Sequence, residues 1–471
     1  MDVLDFPVYG DYDDGEYEFS NEQYEYVDVS DHSAYNIPFM ELVRTCIMPV
    51  LTQGLNDAAV VLFCCFASFT VSCIIPESAF WRQRAINAFA ALCGLCALFS
   101  VFGEDCYLLA LVGASGYVLL WLGTAMSVLQ FLQLQGFVVV VVAVTYVVLF
   151  EFKFGKATVV HKIRGAQMII FMKILSLAHL DKPLLPSLLE YCGYIFCPGT
   201  VVFGPWISLD QYRLWSAKSH LLTVRNLIRS LWNFMQSFCL SFFCLSCSTC
   251  LMTWIFPFVI NKWAEAYRTA AMFRYSHYFI SYLSECTLIG MGITGVPVVK
   301  MLKIELPRSL VEVVEFWNIP MRNWLKRHVF WNVRKRLGVP AALAITYAAS
   351  SLLHGLNFQL SAVLLSLAVF TYGEHRLRRE LSEIYSACIQ ARSCRECQHK
   401  NTTKNPFVIA TNLAFGVLAI FQLAYLGMMF DASPTQEQGY GYEHTLSKWS
   451  AMGFSGHYIA LFMMVTQYLL R

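Results

Sequence analysis

The chain has 471 residues, of which 57% are hydrophobic and only 14% are charged, with a formal net charge of +2. A soluble domain averages about 25% charged residues, so this composition excludes an ordinary soluble enzyme. The first 34 residues carry eleven acidic residues and no Lys or Arg, so the remainder is strongly basic. Its bases flank apolar runs instead of forming one patch, which favours a bilayer over nucleic acid as the partner.

The beginning of the chain differs in composition from the rest. Tyr alternates with Asp and Glu in YGDYDDGEYEF and EQYEYVD, and aliphatic residues are few. Such a segment cannot bury enough apolar surface to offset the entropy of ordering. We therefore predict a disordered acidic tail over residues 1–40 and one transmembrane domain over residues 41–471.

Weakly charged stretches recur along the domain, and most have the length of about 17–25 residues that a helix needs to cross a bilayer. No internal repeat is visible, which disfavours a repeat-built transporter. We predict an all-α polytopic membrane protein with about 9–12 transmembrane or re-entrant helices. The predicted membrane segments are 58–75, 85–102, 106–126, 132–150, 231–260, 286–299, 339–372, 407–429 and 452–470.

Two stretches depart from this pattern. Polar residues such as Arg164, Gln167 and Lys173 interrupt residues 157–180, which predicts an amphipathic helix at the membrane interface or facing the cytosol. Residues 188–209 are apolar but are broken at Pro198-Gly199 and at Gly204-Pro205. Irregular backbone at membrane depth is tolerated only inside a protein core or beside a cavity, so we expect this segment to be buried.

Residues 339–372 contain no Asp, Glu, Lys or Arg and a single His, His354. As one helix this stretch of 34 residues would be ~51 Å long, which exceeds the ~30 Å hydrocarbon core. It should therefore fold as a hairpin that breaks at His354-Gly355. An ionisable residue within a membrane is costly and is a functional candidate by default, the alternative being a structural His or a turn cap.

Three further polar features accompany His354. Tyr347 and Ser350 lie seven and four residues before it, on one face of the first leg. Upstream, Trp317-Asn318-Ile319-Pro320 supplies an amide that is either a cap or a catalytic partner. A neutral imidazole that accepts a hydroxyl proton and an amide that stabilises an oxyanion together suit acyl transfer to a hydroxyl.

The seventeen cysteines are mostly found inside apolar runs, where free Cys behaves as a small hydrophobe, so no disulfide framework is implied. Cys394, Cys397 and His399 form C-x-x-C-x-H in a basic loop, near Cys388. This spacing resembles half of a zinc site, but no second ligand pair follows. Surface thiols are the favoured interpretation, and we expect no metal or cofactor in the active site.

The segments around these residues are HKIRGAQMIIFMKILSL, GTVVFGPWIS, IELPRSLVEVVEFWNIPM, TYAASSLLHGLNFQLSAVLLSLA and EQGYGYEHTLSKWS. Together with an intramembrane Asn followed 36 residues later by a His, they resemble the membrane-bound O-acyltransferases. The resemblance spans roughly residues 155–455. It implies a helical bundle around a central tunnel for acyl-CoA and substrate.

The resemblance also implies the chemistry of the site. His354 matches the family's catalytic His, here the general base, and Asn318 matches its Asn partner, which orients the thioester or stabilises the oxyanion. Trp317, Tyr347 and Ser350 fall at substrate-binding positions. The implied reaction transfers palmitoleate from palmitoleoyl-CoA to a serine of Wnt proteins in the endoplasmic reticulum membrane.

Two alternatives remain open from the sequence. The first is a member of the same enzyme class that acylates a lysophospholipid or another lipid hydroxyl, through a lateral opening to the membrane. The second is a transporter or scaffold in which His354 is structural or a proton site. The absence of paired intramembrane acids argues against the second alternative.

Overall fold

The computed structural model of the chain describes residues 37–125, 157–178, 185–217, 224–257, 261–355, 357–394, 398–431 and 441–471. These residues form helices joined by turns, and they contain no β-strand. The all-α fold class is thus confirmed. The described helices of seven or more residues are α1 Met48–Ile74, α2 Arg82–Phe102, α3 Cys106–Ala125, α4 Ala157–Ala178, α5 Leu188–Ile195, α6 Leu209–Ala217, α7 Val224–Ser246, α8 Lys262–Gly290, α9 Leu310–Trp317, α10 Ile319–Leu325, α11 Trp331–Leu353, α12 Phe358–Ile384, α13 Pro406–Gly427, α14 Tyr442–Ala451 and α15 Ser455–Leu469.

The outer surface of the bundle matches a lipid environment. The large apolar side chains that are 61–71% exposed include Phe63, Phe99, Trp232, Leu413 and Phe462. Apolar surface of this kind is normal for a protein that faces hydrocarbon instead of water. Five helical stretches are long and apolar enough to cross a membrane, namely Phe39–Ile74, Arg82–Leu122, Arg225–Ile255, Ile319–Leu353 and Pro406–Gly427. The chain is therefore a polytopic membrane protein.

Some predicted segments need comment. The stretch 132–150 and most of the acidic tail lie outside the described residues, so the total of 9–12 helices and the two-part domain division stay predictions. The predicted membrane segment at 286–299 is wrong, because α8 ends at Gly290 and residues 291–300 are not helical. Gly292 and Gly295 adopt positive φ values of 86° and 81°, which turn the chain away from a helix.

The predicted hairpin is confirmed. Helix α11 ends at Leu353, His354 is its C-cap, and Gly355 has a φ of 89°, in the left-handed region that favours glycine. Asn357 begins the second leg, because its side chain accepts a hydrogen bond from the Leu360 N–H at 3.2 Å. The chain thus stops one helix and caps the next within four residues, and His354 lies at the break.

Helix α4 corrects the prediction of a surface helix over residues 157–180. Most of its described side chains from Ile163 onward are buried in the core, and Lys173 is fully buried. The Lys173 ammonium donates to the carbonyls of Tyr194 and Ile195 at 2.7 and 3.1 Å and to the Thr200 hydroxyl at 2.6 Å. A polar residue indicates a surface only when no internal partner exists, and here three acceptors replace water.

Those acceptors belong to the broken segment at 188–209, whose predicted burial is confirmed. A short helix at Pro198–Val201 follows α5, and the chain then runs without regular structure to α6. Thr200 is completely buried, and its hydroxyl donates to the Cys197 carbonyl at 3.1 Å. Carbonyl groups that a helix would satisfy internally are therefore satisfied here by side chains from neighbouring elements.

One disulfide bond joins Cys46, just before α1, to Cys250 in the turn of π-helix that follows α7. The sequence implied no disulfide framework, so this bond departs from the prediction. The partners are 204 residues apart in the sequence, so no local pattern could have paired them. The bond ties the start of the first described long helix to the end of α7.

This disulfide and the loop between α12 and α13 lie near opposite ends of α13. Lys262, the first residue of α8, which is the next long described helix after Cys250, donates to the Ala451 carbonyl at the end of α14. Lys448 of α14 pairs with Asp431, which lies just beyond the end of α13. Because α13 has 22 residues, its length of ~33 Å places the loop before it at the other end of the bundle.

We expect Cys46→Ser and Cys250→Ser each to lower the free energy of unfolding by about 2–4 kcal/mol, because the unfolded chain loses a covalent link between residues 204 apart in the sequence. Thermal unfolding in detergent measures the loss, and Cys96→Ser, at an exposed free thiol of α2, is the control. Non-reducing peptide mapping should recover the two cysteines on linked peptides. Alkylation of both thiols without prior reduction would contradict the pairing.

Candidate active site

His354 is held at the hairpin break by its backbone. Its N–H is shared between the carbonyls of Ser350 and Ser351 at 3.3 and 3.1 Å. The side chain is half-buried, and its imidazole makes no hydrogen bond to the residues that the structure describes. His354 is therefore a base whose backbone is fixed and whose ring is uncommitted among the described residues.

Asn318 is the junction between α9 and α10. Its backbone is extended, and its Oδ1 accepts a hydrogen bond from the Met321 N–H at 3.1 Å as the N-cap of α10. The cap that the sequence left as an alternative is thus present, and it uses only one end of the amide. Among the described residues, the Nδ2 group has no hydrogen-bond partner, so the cap orients a free amide donor.

Trp317, next to Asn318, is fixed by a residue that the sequence analysis did not place in the site. The His277 ring stacks on the Trp317 ring with centroids 4.4 Å apart and planes 8° apart. His277 Nε2 also lies 2.9 Å from the Trp317 carbonyl, so this nitrogen donates. His277 is 40 residues away in the sequence, in a Tyr-rich amphipathic stretch, and no local pattern links it to Trp317.

Ser176 of α4 anchors two tryptophans, one of which lies on α10, the helix that Asn318 caps. Its hydroxyl accepts hydrogen bonds from the indole N–H groups of Trp206 and Trp324 at 3.2 and 2.8 Å. Trp206 belongs to the broken segment and Trp324 to α10, so one serine joins both elements to α4. The Trp324 N–H also reaches the Met172 carbonyl at 3.0 Å.

The same cluster connects Asn318 to His354. Trp206, Met321 and Trp324 form a buried apolar group, and Ala349 and Leu353 of α11 pack against it. Met321 donates its N–H to the capping side chain of Asn318, and Leu353 directly precedes His354. The structure therefore places Met321, whose N–H binds Asn318, and Leu353, which adjoins His354, in one apolar cluster, although the sequence separates the two predicted catalytic residues by 36 positions.

The two remaining predicted residues lie on α11. Ser350 is buried and Tyr347 is half-buried. Among the described residues, neither the Ser350 hydroxyl nor the Tyr347 phenol is hydrogen-bonded to the imidazole. Ser350 instead supports His354 through its backbone carbonyl, and the neighbouring Ser351 hydroxyl bonds to Ser361 across the hairpin. Their predicted roles in substrate binding stay predictions.

The arrangement provides a base and a hydrogen-bond donor beside apolar surface, and among the described residues the imidazole has no carboxylate hydrogen-bond partner. An imidazole without a carboxylate partner can accept a proton from a hydroxyl, and a fixed amide can stabilise the oxyanion that follows. This combination is suited to acyl transfer, and it agrees with the fold in which it lies.

A family model described as MBOAT, membrane-bound O-acyltransferase family, matches residues 122–394. The chain belongs to this family, as the resemblance in its sequence implied. Its relatives include the mouse and human proteins named protein-serine O-palmitoleoyltransferase porcupine, each 37% identical over 89% of this chain and 95% of the relative. The Anopheles gambiae protein of the same name is 30% identical over 90% of this chain and 92% of the relative.

We expect His277→Phe to lower the free energy of unfolding by about 1–3 kcal/mol, because the ring can still stack while the Trp317 carbonyl loses its donor. Tryptophan fluorescence during thermal unfolding in detergent measures this effect. Tyr275→Phe, two residues away on α8, is the matched control. Equal stability of the two variants would show that the hydrogen bond to Trp317 contributes nothing.

Proposed function

We propose that this chain is a protein-serine O-palmitoleoyltransferase that transfers palmitoleate from palmitoleoyl-CoA to a serine of Wnt proteins. One observation carries the proposal: the chain matches porcupine proteins over about nine-tenths of its length, and residues that adjoin His354 and hydrogen-bond to Asn318 pack in one buried cluster. A membrane of the endoplasmic reticulum is the proposed location, and membrane lipids surround the bundle.

Differences between the two ends of the bundle indicate from which side of the membrane each substrate enters. A stable disulfide such as Cys46–Cys250 requires an oxidising compartment, so its end faces the lumen. The opposite end carries Arg392, Lys400 and Lys404, as expected for cytosolic loops. The CoA phosphates would bind from this basic side, and the Wnt serine would enter from the lumen.

His354 acts as the general base in the proposed reaction. Its neutral imidazole takes the proton of the serine hydroxyl, and the serine oxygen attacks the carbonyl carbon of the thioester. Collapse of the tetrahedral intermediate breaks the carbon–sulfur bond, and the imidazolium returns the proton to the CoA thiolate. Helix termination at His354 supports this role, because the residue lies at the end of α11 instead of inside the helix.

Asn318 stabilises the negative charge of the same intermediate. Its Nδ2 donates a hydrogen bond to the carbonyl oxygen, which becomes an oxyanion during attack. The hydrogen bond from the Met321 N–H holds the amide in place before the substrate binds. Little free energy is therefore needed to orient the amide during the reaction. Trp317, held by His277, would line the acyl-donor side of the junction.

Transfer of an alkyne-tagged palmitoleoyl chain to a disulfide-closed Wnt hairpin peptide tests the proposal. The purified chain in nanodiscs should label the peptide but not its Ser→Ala version. Labelling of lysophosphatidylcholine instead would support the lipid-acceptor alternative. No labelling of any hydroxyl acceptor would contradict acyl transfer and leave the transporter or scaffold alternative.

We expect His354→Ala to abolish transfer and Asn318→Ala to reduce kcat by about 10²–10³-fold, the effect of losing one oxyanion donor. His375→Ala on α12 and Asn332→Ala on α11, both at exposed positions, are the matched controls. Binding of palmitoleoyl-CoA should persist in all four variants. Full activity in His354→Ala would make this residue structural and would require another base.

A further inference from the structure

The loop between α12 and α13 contains cysteine and histidine side chains that the transferase reaction does not use. The Cys388 N–H donates to the Asn401 carbonyl, and the Asn401 N–H donates to the Ser386 carbonyl, both at 2.9 Å. This backbone bridge brings the second half of the loop back beside the first. His399, two residues before Asn401, is thereby placed next to Cys388.

Three metal-ligating atoms converge at this point. The Sγ atoms of Cys388 and Cys394 and a ring nitrogen of His399 all lie within 4.8 Å of one another. Cys394 Sγ is 4.0 Å from His399 Nδ1. A tetrahedral zinc ion with Zn–S of about 2.3 Å and Zn–N of about 2.0–2.1 Å holds such atoms roughly 3.5–3.8 Å apart. The Cys394–His399 pair needs a contraction of about half an ångström, and no pair needs more than about 1 Å, to reach coordination distance.

The hydrogen bonds of His399 select the form of the ring that binds metal. The Ser382 hydroxyl donates to the Ala387 carbonyl at 2.7 Å, so its oxygen is an acceptor toward His399 Nε2 at 3.2 Å. The ring proton therefore lies on Nε2, and the Nδ1 lone pair faces Cys394. A second-shell acceptor that fixes the tautomer in this way is typical of a ligating histidine.

Burial and compartment also agree with a metal. Cys388 is completely buried among Ala387, Ile389 and Val408, which contradicts the prediction of surface thiols at this position. The loop lies at the end of α13 opposite the disulfide, which is the end assigned to the cytosol. In a reducing compartment, clustered thiols bind metal more often than they form disulfides, and two thiols with one imidazole favour zinc.

We propose that Cys388, Cys394 and His399 form a structural zinc site. The proposal rests on these three ligands; Cys397 lies outside the described residues. Zinc is bound by two thiolates and a neutral imidazole, so binding releases the two thiol protons to solvent.

The site supports the helix that leads to Asn318. Ser309, the N-cap of α9, donates to the Ala391 carbonyl at 2.8 Å. Arg308 donates to the carbonyls of Cys388 and Gln390 at 2.8 and 3.1 Å. Arg392 forms an ion pair with Glu315 inside α9. A zinc ion at one end of this loop therefore fixes the surface on which α9 rests, and α9 ends at Trp317.

The test measures zinc directly in the full-length protein, purified in detergent and washed with EDTA. We expect about one zinc per chain by inductively coupled plasma mass spectrometry, and at least a fivefold lower content in Cys394→Ser and in His399→Ala. Both positions are half-buried, which limits damage to the fold. Cys96→Ser should keep its zinc.

A second measurement avoids variants that fail to fold. Titration of the wild-type thiols with a mercurial should release the zinc to a colorimetric chelator. Growth with cobalt should give a thiolate-to-cobalt charge-transfer band that His399→Ala alters. Wild-type protein with less than a fifth of a zinc per chain would overturn the proposal. A hydroxylamine-sensitive acyl group on Cys394 would also overturn it. Neither outcome depends on whether the chain acylates serine.

Discussion

The buried ammonium of Lys173 is the interaction on which the rest of the site depends. It satisfies two carbonyls and a hydroxyl where the chain between α5 and α6 leaves the helical hydrogen-bond pattern. In a membrane no water replaces those partners, so the break can exist only where a neighbouring helix supplies a donor. One turn further along α4, Ser176 holds Trp206 and Trp324. The single helix α4 thus fixes both the broken segment and, through Trp324, the helix that Asn318 caps.

Both catalytic candidates lie at interruptions of the helical backbone. His354 ends one helix, and Asn318 separates two others. A helix interior would leave these side chains on one of its faces, whereas an interruption lets the backbone fix the residue and leaves the reactive nitrogen free. The cost of breaking a helix within the membrane is met by caps from Asn318 and Asn357 and by the cluster around Trp324. The same helix breaks thus make the backbone irregular and leave the side chains of His354 and Asn318 available for reaction.

Local patterns predicted the features that depend on local chemistry. The length of the uncharged stretch predicted the break at His354, and the Gly-Pro pairs predicted the broken segment. Contacts between distant residues were beyond these patterns. Lys173 was interpreted as a surface residue because its acceptors lie 21 to 27 residues away, and neither the Cys46–Cys250 bond nor the stacking of His277 on Trp317 has a spacing rule. Packing decides such pairs, and only the folded chain reveals them.

The central claim is that His354 and the Asn318 amide act on one thioester carbonyl. A cryo-electron microscopy structure with a non-hydrolysable thioether analogue of palmitoleoyl-CoA tests it most directly. The account predicts that the group replacing the carbonyl lies within about 2.7–3.2 Å of Asn318 Nδ2. It also predicts that the imidazole of His354 lies on the side from which a hydroxyl would attack. An acyl chain that ends elsewhere in the bundle, with neither residue in reach of the reacting bond, would contradict the account.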